Sequence, residues 1–187
     1  MVGQYAALTG FSMLSVCCVA ARSFNIGLWA KLRSFARQEM TRIPLEKTLD
    51  VVQAHLLYSE WNLIPAKRFE QDMTWLRVGI AVRTAMDINL HRVALQPEIR
   101  RGIPNWLVRS IVRTWLLCYT LDGTLSAQLG KPSTLHGEGS IGRYLITLRE
   151  TCQQDDLDED DRELDLSVAS LTVSMTLWFT FHDESNI

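Results

Sequence analysis

The chain has 187 residues, of which 47% are hydrophobic and 21% are charged, and its net charge is −2. This length suits one domain, and the balance of apolar and charged residues argues against a disordered chain. A domain that holds nucleic acid by its phosphates carries a clustered basic surplus, so this chain alone should not bind DNA tightly.

The first 21 residues, from Met1 to Ala21, carry no charge. A signal peptide would have a basic segment before its apolar core, and none is present here. The stretch reaches the length of a membrane span, about 20 residues, but Gln4, Thr9 and other polar residues dilute it. We predict a fully buried helix over residues 8–23, and a membrane-anchored or secreted helical protein is the alternative.

Helical periodicity then continues. We predict helices over residues 26–41, 44–60 and 70–89, with a loop over residues 61–68. In the last of these helices Arg83 and Asp87 lie four residues apart and can form an ion pair. His91 and Arg92 follow, where cations suit the negative end of the helix dipole, and we interpret them as a C-terminal cap.

The most regular pattern lies in a long fifth helix that starts at Pro104. Its apolar stripe steps by three and four residues and contains Trp115, Cys118, Tyr119, Asp122, Leu125, Ser126 and Leu129. Gly130 suits a left-handed cap, and Pro132 forbids continuation. A carboxylate facing a core needs a partner. We therefore expect Arg92 or Arg113 to contact Asp122.

The C-terminal third predicts a loop over residues 133–142 and a short helix over residues 143–153. The acidic run Asp155–Asp161 is predicted to be a solvated loop. As a calcium loop it lacks the required glycine, and as a magnesium–diphosphate site it lacks a second acidic cluster. An all-α magnesium- and diphosphate-dependent enzyme remains a second alternative. A last amphipathic helix is expected from Leu164, Val168, Leu171, Met175, Trp178 and His182, although its threonines also tolerate a strand.

The four cysteines, Cys17, Cys18, Cys118 and Cys152, include no C-x-x-C spacing. Neither a zinc site nor a disulfide framework is indicated, and we predict buried free thiols in a reducing compartment. No combination of nucleophile, base and orienting group can be assembled, so we expect no enzymatic activity. The fold class we predict is all-α, an irregular bundle of about six or seven helices.

Three segments also carry a family resemblance. Residues 113–132 read Arg-x-Trp-x-x-x-Tyr-x-x-Asp-x-x-x-Ser-x-x-x-Gly-Lys-Pro, residues 79–92 read Gly-x-Ala-x-Arg-x-Ala-x-Asp-x-x-Leu-His-Arg, and residues 52–57 read Val-Gln-Ala-x-Leu-Leu. In this order they resemble the fungal-specific transcription factor domain, the middle homology region of fungal zinc-cluster regulators. The best match spans residues 8–135. The motif residues are Arg83, Asp87, His91, Arg92, Arg113, Trp115, Tyr119, Asp122, Ser126, Gly130 and Pro132. The chain departs at Asn89, where glycine is usual, and at Gly123, where arginine is usual.

The resemblance implies a nuclear regulatory domain that controls transcription by RNA polymerase II through partner proteins or a small effector. The family's zinc cluster needs six cysteines in a short basic segment, which this chain lacks. Zinc and DNA binding are therefore expected only of an upstream module, and no cofactor is expected in this chain. The resemblance also allows a homodimer in the full-length factor. It implies a single domain over residues 1–187, truncated at its C-terminus.

Overall fold

The computed structural model describes residues 10–41, 47–61, 72–135, 139–154 and 159–184. Within these ranges it contains nine helices and no strand. They are α1 (Gly10–Phe24), α2 (Ile26–Thr41), α3 (Leu49–Glu60), α4 (Thr74–Asp87), α5 (Leu90–Leu95), α6 (Pro97–Arg100), α7 (Asn105–Leu129), α8 (Ile141–Gln154) and α9 (Glu159–Glu184). The all-α class is confirmed, and the strand alternative for the last segment is wrong.

The predicted count of six or seven helices is too low for a local reason. Helix α4 ends at Asp87, and Asn89 has φ 60° and ψ 35°, the left-handed conformation. That conformation stops the helix, and asparagine adopts it more readily than most residues other than glycine. Two short helices follow where we expected one C-terminal cap. Pro97 begins the second of them at a position where its missing N–H costs nothing.

The chain divides into two compact units, Met1–Ile88 and Asn89–Ile187. In the first unit α1 packs against α2 and α3, and α3 packs against α4. Thr48 caps α3 by accepting a hydrogen bond from the backbone N–H of Val51. The predicted start of this helix at Pro44 lies outside the described residues, as does most of the predicted loop over residues 61–68.

The prediction of a fully buried helix over residues 8–23 is wrong, because α1 is buried on one side only. Cys18 and Ala21 are buried, but Val16 is 50% exposed and Phe24 is 89% exposed. Cys17 is also exposed, so the expectation of buried cysteines holds for Cys18 and Cys118 only. One side of the helix faces α2 and α3, and the other faces outward. None of the helices in the described ranges has the length and apolar character needed to cross a membrane.

In the second unit α7 is the central element. It packs against α5, α8 and α9, and α5 packs against α6 and α8. The largest buried side chains of this unit come mainly from α7 and include Trp115, Leu107, Ile111 and Leu116. Tyr144 of α8 is also fully buried. The unit is therefore built around one long helix that is covered on several sides.

The first unit buries a histidine of α3. His55 is 3% exposed, and burial together with the charge of Arg77 lowers its pKa to about 4. Arg77 lies over the ring of Tyr58, with its guanidinium carbon 5.4 Å from the ring centroid. His55 is therefore neutral in the folded chain at neutral pH, in keeping with a core histidine rather than a charged one.

This burial predicts an acid-sensitive stability. In the unfolded chain His55 binds a proton below about pH 6.5, whereas in the folded chain it does so only near pH 4, so stability is lost as the pH falls through this window. The difference corresponds to roughly 3 kcal/mol. We expect urea unfolding to show that the wild type loses about this much more stability than His55→Gln between pH 7.5 and 4. Identical pH dependence in both proteins would contradict it.

Candidate functional site

The predicted stripe of α7 faces the core of the second unit. Trp115, Cys118, Tyr119, Asp122 and Ser126 are buried, and Leu125 and Leu129 are half-buried. Gly130 ends the helix at φ 61°, and the backbone N–H groups of Gly130 and Lys131 both donate to the Ser126 carbonyl. The helix, its buried face and its left-handed cap were thus all readable from the spacing of the residues.

The partner of Asp122 is the segment that follows the helix, rather than an arginine. Its Oδ2 accepts hydrogen bonds from the Ser133 hydroxyl at 2.7 Å and from the backbone N–H groups of Thr134 at 2.6 Å and Leu135 at 3.0 Å. Asp122 is only 1% exposed. A buried carboxylate that accepts three donors is stabilised without a counter-ion. The chain thus folds back after Pro132 and is fastened to its own helix.

Arg113, which we had expected near Asp122, instead contacts α9. Its Nε donates to Asp165 Oδ1, and its Nη2 lies 3.0 Å from Asp161 Oδ1. Arg109, one turn earlier, is 3.5 Å from Asp161 and 3.8 Å from Asp165. Burial disfavours the charge on Arg113, but the hydrogen bonds to Asp165 and Asp161 outweigh that effect and raise its pKa. Two arginines and two aspartates form one ion-pair network.

This network extends to the thiol of Cys152 on α8, which donates to Asp165 Oδ2 at 2.7 Å. Burial, together with the Asp165 carboxylate, raises the pKa of Cys152 to about 11. Cys118 is fully buried near Asp122, and its pKa is raised as well. Both thiols are therefore protonated at neutral pH and unsuited to nucleophilic chemistry.

The contacts between α7 and α9 follow one register. Arg109 meets Asp161, Arg113 meets Asp165 and Thr120 meets Thr172, and each pair is 52 residues apart. A constant offset of the same sign means that the two helices run parallel. Steps of four and seven residues along both helices match the heptad spacing of a coiled coil. We call these six residues the polar seam.

The face of α9 that contributes to the polar seam differs in part from the face that we predicted to be buried. Among the side chains of α9 that the structure describes, Asp165, Val168, Thr172 and Met175 are buried. Val168 and Met175 were predicted inward, whereas Leu164 and Leu171, also predicted inward, are about half exposed. The helix also begins at Glu159, so the last three residues of the predicted acidic loop are helical. Residues 155–158 lie outside the described ranges. Charge pairing with α7 has rotated the helix away from its most apolar stripe.

A groove of about 320 Å³ lies beside the polar seam. We call it the α7–α9 groove; it is lined by Thr124, Ala127 and Gln128 on α7 and by Leu171, Ser174 and Trp178 on α9. A second cavity of about 190 Å³ lies near Arg100 and Glu150.

In the described residues no group of three or more His, Cys, Asp or Glu side chains could hold a metal ion. Asp161, which the magnesium hypothesis requires, is already paired with arginines.

Four further motif residues lie on α4 and α5. His91 on α5 packs against Trp115, with ring centroids 5.5 Å apart, and Trp115 packs edge-on against Tyr144 at 6.2 Å. Arg92 is an exposed residue of α5. The predicted pair of Arg83 and Asp87 is replaced by other contacts. Asp87 pairs with Lys47 at 2.6 Å, and Arg83 donates to the Gly79 carbonyl at 3.3 Å.

The sequence model of one protein family, the fungal specific transcription factor domain, matches residues 5–165. The match covers most of the chain, and the chain belongs to this family. It extends across all three segments on which the resemblance rested and continues into the first residues of α9. No curated protein and no solved structure matches the chain.

The three hydrogen bonds at Asp122 predict a strong effect of its removal. Asp122→Ala leaves the N–H groups of Thr134 and Leu135 without their acceptor, and bonds to charged groups contribute about 1.5–3 kcal/mol each. We expect urea denaturation to show a loss of about 3 kcal/mol, with Asp122→Asn intermediate. The control is Asp87→Ala, whose exposed pair with Lys47 should contribute less than about 1 kcal/mol. Equal effects of the two alanine variants would show that the hydrogen bonds to Asp122 do not stabilise the fold.

The polar seam predicts that removing one charge destabilises the fold more than removing both members of an ion pair. Asp165→Leu removes an acceptor from the buried Arg109 and from the largely buried Arg113. It should cost about 3 kcal/mol or more, since breaking a buried pair leaves an uncompensated charge. Arg113→Met combined with Asp165→Leu should recover at least about 1 kcal/mol of that loss. A double-mutant cycle by urea unfolding measures this coupling. Additive losses would show that the two residues do not act as a pair.

Proposed function

We propose that this chain is a regulatory and interaction domain of a fungal zinc-cluster transcription factor. The observation that carries the proposal is the family match over residues 5–165. The domain would act in the nucleus by holding the activity of the factor low or high through contacts with partner proteins. DNA recognition would come from a separate module, because the net charge of −2 gives this chain no basic surplus.

The chemistry of the second unit supports a binding role. Its thiols are protonated, and its buried carboxylates are engaged by backbone N–H groups or by arginines. Such groups stabilise a fold and its register. The α7–α9 groove offers an apolar surface instead. A regulator that works through partners needs a stable scaffold with such a surface.

The proposal is tested with a reporter assay in which the chain is tethered to DNA. The full chain is fused to an unrelated DNA-binding module, and transcription of a reporter bearing its site is measured in fungal cells. We expect reporter transcription to change several-fold relative to the module alone, and Asp122→Ala to abolish the change because it destabilises the second unit. Asp87→Ala should leave it intact.

One further control separates regulation by the folded domain from a local charge effect. A fusion of residues 155–161 alone carries the acidic run without the helices, and it should leave the reporter unchanged. An unchanged reporter with the well-expressed, nuclear full-chain fusion would overturn the proposed function. So would an equal response from the acidic run alone.

A further inference from the structure

Helix α9 is apolar on more of its surface than it buries. Leu164, Leu171 and Trp178 recur every seven residues on the flank next to the polar seam and are 49%, 55% and 38% exposed. Leu166, Val173 and Leu177 lie on the opposite side and are 71%, 43% and 51% exposed. A helix that is apolar on several sides is usually covered on several sides. The stripe of Leu164, Leu171 and Trp178 is the better candidate for a surface that a partner covers, because it adjoins the α7–α9 groove.

The geometry of the α7–α9 groove suits a third helix. Two parallel helices in register leave a straight furrow between them, and Leu171 and Trp178 form one wall of it. Leu164 continues this wall by one further heptad toward the start of α9. From Leu164 to Trp178 the stripe spans 14 residues, which is about 21 Å of helix. Thr124 and Ala127 on the opposite wall are small, so large side chains can enter.

The charge at one end of this stripe defines the partner further. Glu159, Asp160 and Glu163 in the first turns of α9 are exposed. The ion pairs of the described residues use Asp161 and Asp165 but none of these three carboxylates. These three carboxylates outnumber the exposed Arg162 that lies among them, so this end of α9 carries a net negative charge beside Leu164. Opposite charge on a partner would fix its orientation and speed its association.

We infer that the α7–α9 groove binds an amphipathic helix of a partner protein, with apolar residues at heptad spacing and basic residues at the end next to Glu159–Glu163. This inference rests on the proposed function and names the partner surface that it requires. The helix would place its apolar residues against Leu164, Leu171 and Trp178. A second copy of α9 fits less well, because its own first turns are acidic and it carries no matching basic end.

The inference is tested with designed peptides as probes. The first peptide has about 21 residues, leucine at heptad a and d positions, and lysines in one terminal heptad. The second replaces those lysines with glutamates, and the third scrambles the first. Binding of each labelled peptide to the full chain is followed by fluorescence anisotropy. We expect the basic peptide to bind at least about tenfold more tightly than the acidic one, with a smaller difference at high salt.

Matched variants of α9 locate the binding surface. Leu171→Glu places a charge in the groove and should weaken binding of the basic peptide about tenfold or more, since it removes a central apolar contact. Leu166→Glu makes the same change on the opposite side of the helix and should have little effect. Both residues are exposed, so both variants should keep the wild-type melting temperature.

Several outcomes would overturn the inference. They are equal binding of the basic and scrambled peptides, equal loss with Leu171→Glu and Leu166→Glu, or self-association of the chain that Leu171→Glu abolishes. The last result would identify a second copy as the occupant of the groove.

The tethered reporter separates this inference from the proposed function. If the reporter responds but Leu171→Glu leaves it unchanged, the groove is not the partner surface, although the chain still regulates transcription. If the basic peptide binds in the groove but the reporter never responds, the groove stands and the proposed function fails.

Discussion

The fold of the second unit depends on which groups pair with the charged side chains that α7 buries. Arg109 is 5% exposed and Asp122 is 1% exposed, and both project from the helix that forms the centre of the unit. A buried charge without partners would cost several kcal/mol. Asp122 therefore requires the segment after Pro132 to fold back, and Arg109 and Arg113 require α9 to lie alongside in one register. Polar contacts thus specify which elements α7 meets, and apolar burial stabilises the result.

Much of the fold could be predicted because its signals are local. The stripe from Trp115 to Leu129 and the cap at Gly130 depend on spacing within one helix, and the structure has both. The partners of Asp122 and Arg113 could not be predicted in this way. A carboxylate in an apolar stripe shows that it needs a partner, but which group supplies it depends on the path of the chain through space. Two of the three donors to Asp122 are backbone N–H groups, which every residue type except proline carries and which the sequence therefore does not mark.

The two departures from the family pattern differ in their energetic cost. Asn89 replaces a usual glycine at a left-handed position, and asparagine tolerates that conformation, so the bend between α4 and α5 is kept. Gly123 replaces a usual arginine in the interior of α7, where it is buried and costs about 1 kcal/mol of helix propensity against alanine. The helix continues through Gly123, because tertiary packing on both sides of it outweighs that local cost.

The orientation of α9 shows why periodicity alone gave only part of the buried face, namely Val168 and Met175. Its most apolar stripe contains Leu164, Leu171 and Trp178, yet the helix turns Asp165 and Thr172 toward α7. Pairing a buried arginine outweighs burying one more leucine, since an uncompensated charge costs several kcal/mol and a leucine side chain contributes about 1.5–3 kcal/mol. A helix that satisfies its neighbour's charges in this way keeps apolar surface outside. The same constraint that fixes the register of α9 therefore creates the exposed edge of the groove.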